Sequence, residues 1–358
     1  MAGGLLTDGG RSKLTPLEVQ QIVRRGYGFT VEGQKRLGGE VDQNVWLQTD
    51  DGSQFLFKAS VGEVNEALRW QETVLSHLER SAPDIPVPRL VLSLTGEGML
   101  SLESGGSRFV VRLLSWLPGS MLAELDDVPL HLLAELGTVA ARLTLSLAQL
   151  SATPVGSHHW DIRRSRTAVD EALPFVSESA DRRCVTRLMA EFDRMLPRLE
   201  KLPTGVVHQD LNDFNVLALP GPDGRMVISG VLDVNDSLYT VRVAELAIAV
   251  AYALLRQEDP LEAAAAVVAG FHATAPLTEE EVTVVFPLAA ARLCVNATTW
   301  TRRTTESHHP YGRERMRHTW PALRKIAAIS PAAAEQRLLS VCGFTAPNRA
   351  TSPGDEYA

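Results

Sequence analysis

The chain has 358 residues, of which 45% are hydrophobic and 22% are charged, and its formal net charge is −8. This composition excludes a mainly disordered chain, and the acidic balance argues against a nucleic-acid partner, because phosphate binding needs a basic surface. The length exceeds what one hydrophobic core usually supports, so a bilobal unit or two domains are expected.

The first third of the chain has the pattern of a small sheet with two helices. Residues 1–15 lack periodicity and are predicted to be a flexible terminus. The predicted elements are a helix at 16–27, strands at 44–48 and 54–58, a helix at 63–80, and strands at 89–94 and 108–116. The Thr-Asp-Asp-Gly stretch at 49–52 predicts a β-hairpin between the first two strands.

Beyond residue 117 the sequence becomes rich in alanine and leucine at helical spacing. Helices are predicted at 129–150, 188–202, 241–255, 260–273, 279–305 and 310–328. Strand-like pieces occur only around 205–219 and 226–233. We therefore predict an α+β architecture with a small antiparallel-sheet N-lobe at 16–117, a larger, mainly helical C-lobe at 118–344, and a flexible tail at 345–358.

The cysteines and apolar segments bear on location. Cys184, Cys294 and Cys342 are too few for a disulfide framework and lack metal-ligand spacing, which favours a reducing compartment. No uninterrupted apolar run reaches the roughly 18 to 20 residues of a membrane span, and the N-terminus lacks the apolar stretch of a signal peptide. We predict a cytoplasmic protein without a membrane partner, and the sequence leaves its oligomeric state open.

The segment HQDLNDFN at 208–215, between two apolar runs, carries the clearest chemistry. Asp210 and Asn215 lie five positions apart, and Asp233 closes a later apolar strand. Mg2+ prefers such carboxylate and amide oxygens, and phosphoryl transfer needs one carboxylate to orient a hydroxyl and further oxygens to hold metal. The residues alone leave another interpretation open, in which Asp210, Asn212 and Asp213 are turn formers and Asp233 is a strand terminator. Lys58 is equally open, as a phosphate-binding cation or an exposed strand end.

Taken together, these motifs resemble the aminoglycoside phosphotransferase and choline kinase-like branch of the protein-kinase fold, and within it the hydroxylysine kinase subgroup. The matching motifs are, in chain order, GEVDQNV at 39–45, Phe57-Lys58, VRLLSWLPG at 111–119, HQDLNDFN at 208–215, ISGVLD at 228–233 and DSLY at 236–239. The likeness runs from about residue 20 to about residue 330. It implies a bilobal protein-kinase-like fold and a Mg2+-dependent transfer of the γ-phosphate of ATP or GTP.

The resemblance implies a role for each matching position. Asp210 resembles the catalytic base, Asn215 and Asp233 resemble the metal ligands, and Lys58 resembles the clamp on the α/β-phosphates. His208 resembles the residue that braces the loop. The resemblance also implies that Gly39 and Asn44 contact the nucleotide from a glycine-containing loop. The backbone of Ser115, Trp116 and Leu117 is implied to contact the purine ring of the nucleotide.

The chain departs from the family pattern at two places. The family usually has Asp-Phe-Gly-Asp after its last strand, whereas this chain has Asp-Val-Asn-Asp at 233–236, so we expect Asn235 to replace the glycine in a left-handed turn. The acid that should pair with Lys58 is not assigned, because the helix at 63–80 offers Glu63, Glu66 and Glu72, while the best register places Gln71 there.

An amine-bearing acceptor needs carboxylates, and an amino acid acceptor also needs an arginine for its own carboxylate. The candidate substrate residues are Asp213, Asp236, Tyr239, Asp161, Arg163 and Arg302. The alternative for the arginines is that they form surface ion pairs. The alternative for Tyr239 is that it packs in the core. The predicted partners are a nucleotide and a small hydroxylated amine, with a hydroxylysine-like amino acid favoured as acceptor. The alternatives are an aminoglycoside-type antibiotic phosphotransferase and a nucleotide-binding pseudokinase without activity.

Overall fold

The computed structural model describes residues 13–39, 42–151, 159–307 and 316–345. The predicted flexible ends fall mostly on residues 1–12 and 346–358, which lie outside the described residues. The first six residues of the helix predicted at 310–328 also lie outside them.

The chain divides into two compact units, whose boundaries differ from the predicted lobes. The first unit comprises Met1–Gly119 and Ser229–Asn235, and the second comprises Ser120–Ile228 and Asp236–Ala358. The sequence predicts the division after Leu117, with residues 118–344 in the C-lobe. Residues 229–235 join the first unit because Val231 N–H donates to Pro86 O at 2.7 Å and Ser229 Oγ donates to Pro118 O at 2.6 Å.

The first unit is built on an antiparallel sheet of order β1-β2-β3-β6-β4, with β5 paired to β6. Its strands are β1 (Val31–Arg36), β2 (Gln43–Thr49), β3 (Gln54–Val61), β4 (Leu90–Val91), β5 (Leu100–Ser104) and β6 (Ser107–Ser115). Alternate residues of β2 and β3 are buried, which is the two-residue period of a sheet with one face on a core. The predicted hairpin is confirmed, with Gln48 opposite Gln54 and Gly52 at φ +83° in the turn.

Two helices accompany this sheet. Helix α1 (Pro16–Tyr27) begins with a capping box formed by Thr15 and Glu18, and it buries Val19, Val23 and Tyr27 in the sheet core. Helix α2 (Glu66–Ser81) starts three residues after the predicted start, because the Asn65 side chain caps it.

Strand β4 is much shorter than the predicted strand at 89–94. The chain turns at Ser93, whose N–H donates to Glu97 O at 2.8 Å and whose hydroxyl accepts from Glu97 N–H at 3.0 Å. A turn that takes up the backbone donor in this way cannot continue the sheet ladder.

The second unit is mainly helical, as predicted. Its helices are α3 (Leu130–Leu147), α4 (Ser165–Ala172), α5 (Ser179–Leu199), α6 (Val243–Ala253), α7 (Pro260–Thr274), α8 (Glu279–Ser307), α9 (Thr319–Ala327) and α10 (Pro331–Val341). Helices α3 and α7 approach closely where Gly137 faces Val267 O and Gly270 faces Ala134 O, positions at which a Cβ would overlap backbone. The α+β prediction, a sheet unit followed by a larger helical unit, is confirmed.

Short strands hold the HQDLNDFN segment at both of its ends. Strand β8 (Thr204–Val207) leads into it and pairs with β11 (Leu238–Val241). Strand β9 (Val216–Pro220) leads out of it and lies between β7 (Ser120–Met121) and β10 (Met226–Val231). The segment therefore crosses from one sheet to the other, so each of its ends is fixed by a different set of backbone hydrogen bonds.

Two described helices, α3 and α8, are long and apolar enough to cross a membrane by length and composition alone. Within the fold, 61% of the apolar window of α3 and 89% of that of α8 is buried. Core helices have the same apolar character, because packing demands it. The absence of a membrane partner stays a prediction.

The buried carboxylate of Glu281 fastens α8 to the segment before α6. It accepts from Arg242 Nε at 2.7 Å and Arg242 Nη2 at 3.0 Å, and from Thr278 N–H at 3.0 Å. Burial alone would raise the pKa of Glu281, but Arg242 and Thr278 hold it below its ordinary value. The pair therefore stabilises the fold at neutral pH and less so in acid.

Glu281→Gln is expected to lower the free energy of unfolding by about 1–3 kcal/mol at pH 7. Because the folded-state pKa is depressed, this stabilisation is complete above the unfolded value of about 4.3 and is lost as pH falls through the folded value. Urea unfolding at pH 7 and near pH 3 measures the free energy of unfolding. The difference in this free energy between wild type and variant should be smaller in acid. Glu279→Gln, at an exposed position of the same turn, is the control. An equal difference in the free energy of unfolding at both pH values would contradict a stabilising role for the Glu281 charge.

Candidate active site

The start of the HQDLNDFN segment is held in shape by Glu245 of α6. One oxygen of this buried carboxylate accepts from the backbone N–H groups of His208 at 2.6 Å and Gln209 at 3.2 Å. Gln209 has a φ of +71°, a left-handed value that the two hydrogen bonds hold in place. Burial raises the pKa of Glu245, and the His208 side chain opposes that shift. His208 Nδ1 accepts from Asp210 N–H at 3.2 Å, which favours the predicted bracing role.

The second half of the segment is a turn organised by Asn212. Its Oδ1 accepts from Phe214 N–H at 2.8 Å and from Asn215 N–H at 3.1 Å. This Asx turn directs the Asn215 side chain back to Asp210, where Nδ2 donates to Oδ2 at 2.6 Å and to the backbone carbonyl at 3.1 Å. The structure therefore brings together the predicted base and one predicted metal ligand. The turn-former interpretation holds for Asn212 and does not account for Asp210.

The other oxygen of Asp210 is held by a residue that the sequence analysis missed. Arg292 of α8 donates from Nη2 to Asp210 Oδ1 at 2.9 Å and from Nη1 to Trp160 O at 3.1 Å. Its guanidinium lies 4.8 Å from the centre of the Trp160 ring, a cation–π distance. The available signal was a single charged residue, Arg292, within the apolar run PLAAARLCV of a helix that is otherwise core.

The Asp210 carboxylate is largely enclosed but reaches the surface. Its side chain is 16% exposed, whereas that of Arg292 is 3% exposed. Burial raises the pKa of Asp210, Arg292 opposes this shift, and the negative charge of Asp236 adds to it. A partly exposed carboxylate with a raised pKa and fixed oxygens has the properties of a general base.

Asp213, predicted to contact the substrate, has a structural role. It is 4% exposed, and its Oδ2 accepts from Arg256 Nη1 at 3.0 Å. Arg256 also donates from Nη2 to Leu122 O at 3.0 Å, and its backbone has a left-handed φ of +65°. The burial of Asp213 and its use as the counter-charge of the half-buried Arg256 argue against the predicted substrate contact.

Asp213→Asn is accordingly expected to lower the free energy of unfolding by about 3 kcal/mol, since Arg256 loses its counter-charge. The Michaelis constant for the acceptor should stay unchanged in the fraction that is folded. Urea unfolding and initial-rate kinetics on the same preparation separate the two effects. A selective rise of the acceptor Michaelis constant without loss of stability would restore Asp213 as a substrate residue.

The remaining candidates for substrate binding differ in availability. Asp161 is buried and caps a helical turn through Arg163 N–H at 3.1 Å, and it accepts from Thr240 Oγ1 at 3.0 Å. These contacts indicate a structural role and argue against the predicted substrate contact. Arg163 is half exposed and donates to Tyr239 O at 3.2 Å. Tyr239 is 43% exposed, with its hydroxyl 2.8 Å from that of Thr204.

Arg302 forms surface ion pairs with Glu306 at 3.1 Å and Glu171 at 3.9 Å. This is the arrangement expected of a solvated helix face, and its role as a ligand for a substrate carboxylate stays a prediction. Asp236 is half buried, and its charge acts on both Asp210 and Arg292. Asp236 is thus a predicted substrate residue whose negative charge acts on the predicted base.

In the first unit, Lys58 of β3 pairs with an acid that does not come from helix α2. Its Nζ lies 3.4 Å from Asp42 Oδ2, just before β2. The position on α2 that faces the sheet is Gln71, whose side-chain oxygen accepts from Arg112. Asp42 lies in the loop before β2 and not among Glu63, Glu66 and Glu72, the acids that the sequence offers in the predicted helix.

The glycine-containing loop before Asp42 is closed by Asn44, whose Nδ2 donates to Gly38 O at 2.9 Å. A Cβ at position 39 would lie 2.8 Å from Asp42 O, so this turn requires Gly39. Residues 40 and 41 of the motif lie outside the described residues. The contacts of Gly39 and Asn44 with a nucleotide stay predictions.

The structure limits which backbone groups of residues 115–117 could bind a nucleotide base. Ser115 N–H donates to Arg89 O at 2.9 Å and Trp116 N–H donates to Gln54 O at 3.2 Å. These two donors are already engaged within the first unit, so a base would have to use Leu117 or the carbonyl groups of this segment. The role of Leu117 stays a prediction.

The turn at 233–236 forms without the family's glycine, in a way that differs from expectation. The left-handed residue is Asp233, at φ +63°, and not Asn235, whose N–H donates to Asp233 Oδ1 at 3.3 Å. Aspartate tolerates this conformation because its carboxylate bonds to the local backbone. The residues from Val234 to Asp236 form a single helical turn.

The oxygen atoms at the two predicted metal ligands suit Mg2+. The Asn215 amide nitrogen is used by Asp210, which leaves its oxygen as the ligand atom, and Asp233 is an exposed carboxylate. Among the residues that the structure describes, no cluster of three or more His, Cys, Asp or Glu is arranged to bind a metal.

Comparisons with known proteins place this geometry in a family. A hydroxylysine kinase of Danio rerio is 27% identical over 298 residues, covering 79% of this chain and 82% of the relative. A hydroxylysine kinase of Mus musculus is 26% identical over 303 residues, covering 78% and 79%. Among solved structures, an amicoumacin kinase in complex with AMP-PNP, Ca2+ and Ami has a TM-score of 0.62 at 16% identity, covering 87% of this chain and 94% of that chain.

The structural match, at low identity, confirms the protein-kinase-like fold predicted from the motifs. The profile of a family described as the phosphotransferase enzyme family, APH, matches residues 33–281, which include Lys58, Asp210, Asn215 and Asp233. The chain therefore belongs to the phosphotransferase enzyme family and is a small-molecule kinase acting on hydroxyl groups.

Proposed function

We propose that this kinase transfers the γ-phosphate of ATP or GTP, with Mg2+, to the hydroxyl of a hydroxylysine-like amino acid. The observation that carries the proposal is the fixed Asp210 carboxylate, with Arg292 on one oxygen and Asn215 on the other. Because both oxygens are oriented by fixed donors, the carboxylate is prepared to accept a proton without rearrangement.

In the proposed reaction the acceptor oxygen attacks the γ-phosphorus while the bond to the β-phosphate oxygen breaks. The hydroxyl proton passes to Asp210, and the nucleoside diphosphate leaves. Asn215 and Asp233 are proposed to hold Mg2+, which when bound neutralises charge on the phosphates. Lys58 is proposed to bind the α/β-phosphates, and Glu245 and His208 keep the catalytic loop in shape.

The acceptor is proposed from the relatives and from the charges near Asp210. Two proteins named hydroxylysine kinase cover more than three quarters of this chain at 26% and 27% identity. Asp236 supplies negative charge near the base, which would attract the ammonium group of an amino acid. ATP is the first nucleotide to test, because the amicoumacin kinase of similar fold was solved with AMP-PNP.

A transfer assay with labelled γ-phosphate tests the proposal. The purified chain is incubated with Mg2+ and either ATP or GTP, and with 5-hydroxylysine, other hydroxy amino acids, amino alcohols or aminoglycosides. The expected result is the highest kcat/KM for a hydroxy amino acid. A preference for an aminoglycoside would replace the proposed acceptor. Nucleotide binding without labelling of any acceptor would favour the inactive pseudokinase.

A further inference from the structure

Three charged side chains lie on one face of the sheet in the first unit. On one side, Lys58 of β3 is directly opposite Arg112 of β6. On the other side it is opposite Asn44 of β2, and Asp42 lies two positions before Asn44, immediately before the strand begins. Asp42 Oδ2 lies 3.4 Å from Lys58 Nζ and 2.9 Å from Arg112 Nη2. One carboxylate oxygen therefore bridges both cations.

The bridge resolves an electrostatic conflict in the sheet. Two like charges placed directly opposite each other on neighbouring strands destabilise the pair. The three side chains are largely buried, with exposures of 11% for Lys58, 9% for Asp42 and 4% for Arg112, so solvent screens the repulsion poorly. Asp42 is the acid that the structure places between the two cations.

Further hydrogen bonds orient this carboxylate. Ser60 Oγ donates to Asp42 Oδ1 at 2.6 Å, and Arg112 is itself bonded to the oxygen of Gln71 on α2. Burial alone would raise the pKa of Asp42, but Lys58, Ser60 and Arg112 hold it below its ordinary value. The carboxylate is thus charged and held at both oxygens.

Helix α2 does not provide a carboxylate to Lys58. Its residue facing this cluster is Gln71, which is neutral and bonded to Arg112. Glu63, just before the helix, pairs with the exposed Arg108 instead. A lysine side chain has four rotatable bonds, so it needs a fixed anion to hold its ammonium in one place.

We propose that Asp42 and Arg112 are the positioning residues for Lys58, and that they act in place of an acid on helix α2. Asp42 holds the lysine ammonium by direct attraction, and Arg112 holds Asp42. The position of the Lys58 ammonium is thereby set by the sheet and by the loop between β1 and β2, which carries Asp42. This position does not depend on a charged side chain of α2. This inference rests on the proposed role of Lys58 in binding nucleotide phosphates.

A double-mutant cycle tests the inference. The dissociation constant of AMP-PNP with Mg2+ is measured by calorimetry for wild type, Asp42→Asn, Lys58→Ala and the double variant. Asp42→Asn is expected to weaken binding about tenfold or more, the effect of losing a charge-assisted hydrogen bond. In the Lys58→Ala background the same change should add nothing, because Asp42 acts through Lys58. Equal weakening in both backgrounds would overturn the proposal.

Conservative and matched variants separate positioning from folding. Arg112→Lys keeps the charge and should retain most of the affinity, whereas Arg112→Gln should lose it. Arg108→Gln removes an exposed arginine of the same strand, 60% exposed, and should leave the affinity unchanged. Asp42→Glu should recover part of the affinity lost in Asp42→Asn. Thermal unfolding of each variant shows that the proteins compared are folded.

The outcomes distinguish this inference from the proposed function. If Lys58→Ala binds AMP-PNP like wild type, the proposed role of Lys58 is wrong. If Lys58→Ala weakens binding and Asp42→Asn does not, the role of Lys58 stands and the positioning by Asp42 is wrong. If Gln71→Ala weakens binding as much as Arg112→Gln does, while Arg112→Lys fails to retain affinity, helix α2 controls Lys58 and the proposal is overturned.

Discussion

Asp210→Asn is expected to reduce kcat for phosphate transfer by about 10²–10⁴-fold, the usual contribution of a positioned general base. The amide has nearly the same shape as the carboxylate, but it cannot take the proton of the attacking hydroxyl. The Michaelis constant for the nucleotide should change little, because Lys58 and the glycine-containing loop are untouched. Initial rates with 5-hydroxylysine at saturating ATP measure the effect.

The control for this prediction is Asp223→Asn. Asp223 is exposed in the turn between β9 and β10, where its carboxylate caps Arg225 N–H at 3.0 Å. The same chemical change at this position should leave turnover within about twofold, as for most surface substitutions. Wild-type turnover in Asp210→Asn would remove Asp210 as the base and leave phosphate binding as the function of this loop.

Much of the fold could be predicted because its elements are strongly periodic. The β2–β3 hairpin follows from alternating apolar residues around a Thr-Asp-Asp-Gly turn, and α1 follows from its cap and its spacing. The predicted elements do not include helix α4 (Ser165–Ala172) and helix α10 (Pro331–Val341). Helix α4 has only eight residues, and its buried face consists mainly of small side chains, so its apolar signal is weak. The assignment of residues 229–235 to the first unit depends on Val231 and Pro86, which no local pattern connects.

The candidate site was predictable only where one segment carries the chemistry. Asp210 and Asn215 are five residues apart, so their proximity follows from a local turn. Arg292 lies 82 positions from Asp210 and Asp42 lies 16 positions from Lys58, and their pairing is set by helix packing and strand register. Asp213 resembles Asp210 in sequence, and its partner Arg256 lies 43 positions away, so its structural role follows from the tertiary fold and not from the local pattern.

Arg292→Gln is expected to lower kcat by about 100-fold and the free energy of unfolding by about 3–5 kcal/mol. The stability loss follows because the largely buried Asp210 carboxylate is left without its counter-charge, and the rate loss because Oδ1 is no longer fixed. Arg292→Lys keeps the charge but cannot bond Asp210 and Trp160 O together, so an intermediate effect is expected. Urea unfolding and steady-state kinetics measure the two quantities, and Arg183→Gln, at an exposed position of α5, is the control.

The double variant Asp210→Asn/Arg292→Gln separates the two roles of Arg292. Replacing both partners of a buried pair by neutral groups of similar shape can be nearly neutral, whereas removing one leaves an uncompensated charge. The double variant is therefore expected to regain most of the stability lost in Arg292→Gln while remaining inactive. Recovery of stability would show that Arg292 serves the charge of Asp210 and not packing against Trp160. If the double variant were as unstable as Arg292→Gln, the arginine would act mainly through its packing, and its effect on rate would be indirect.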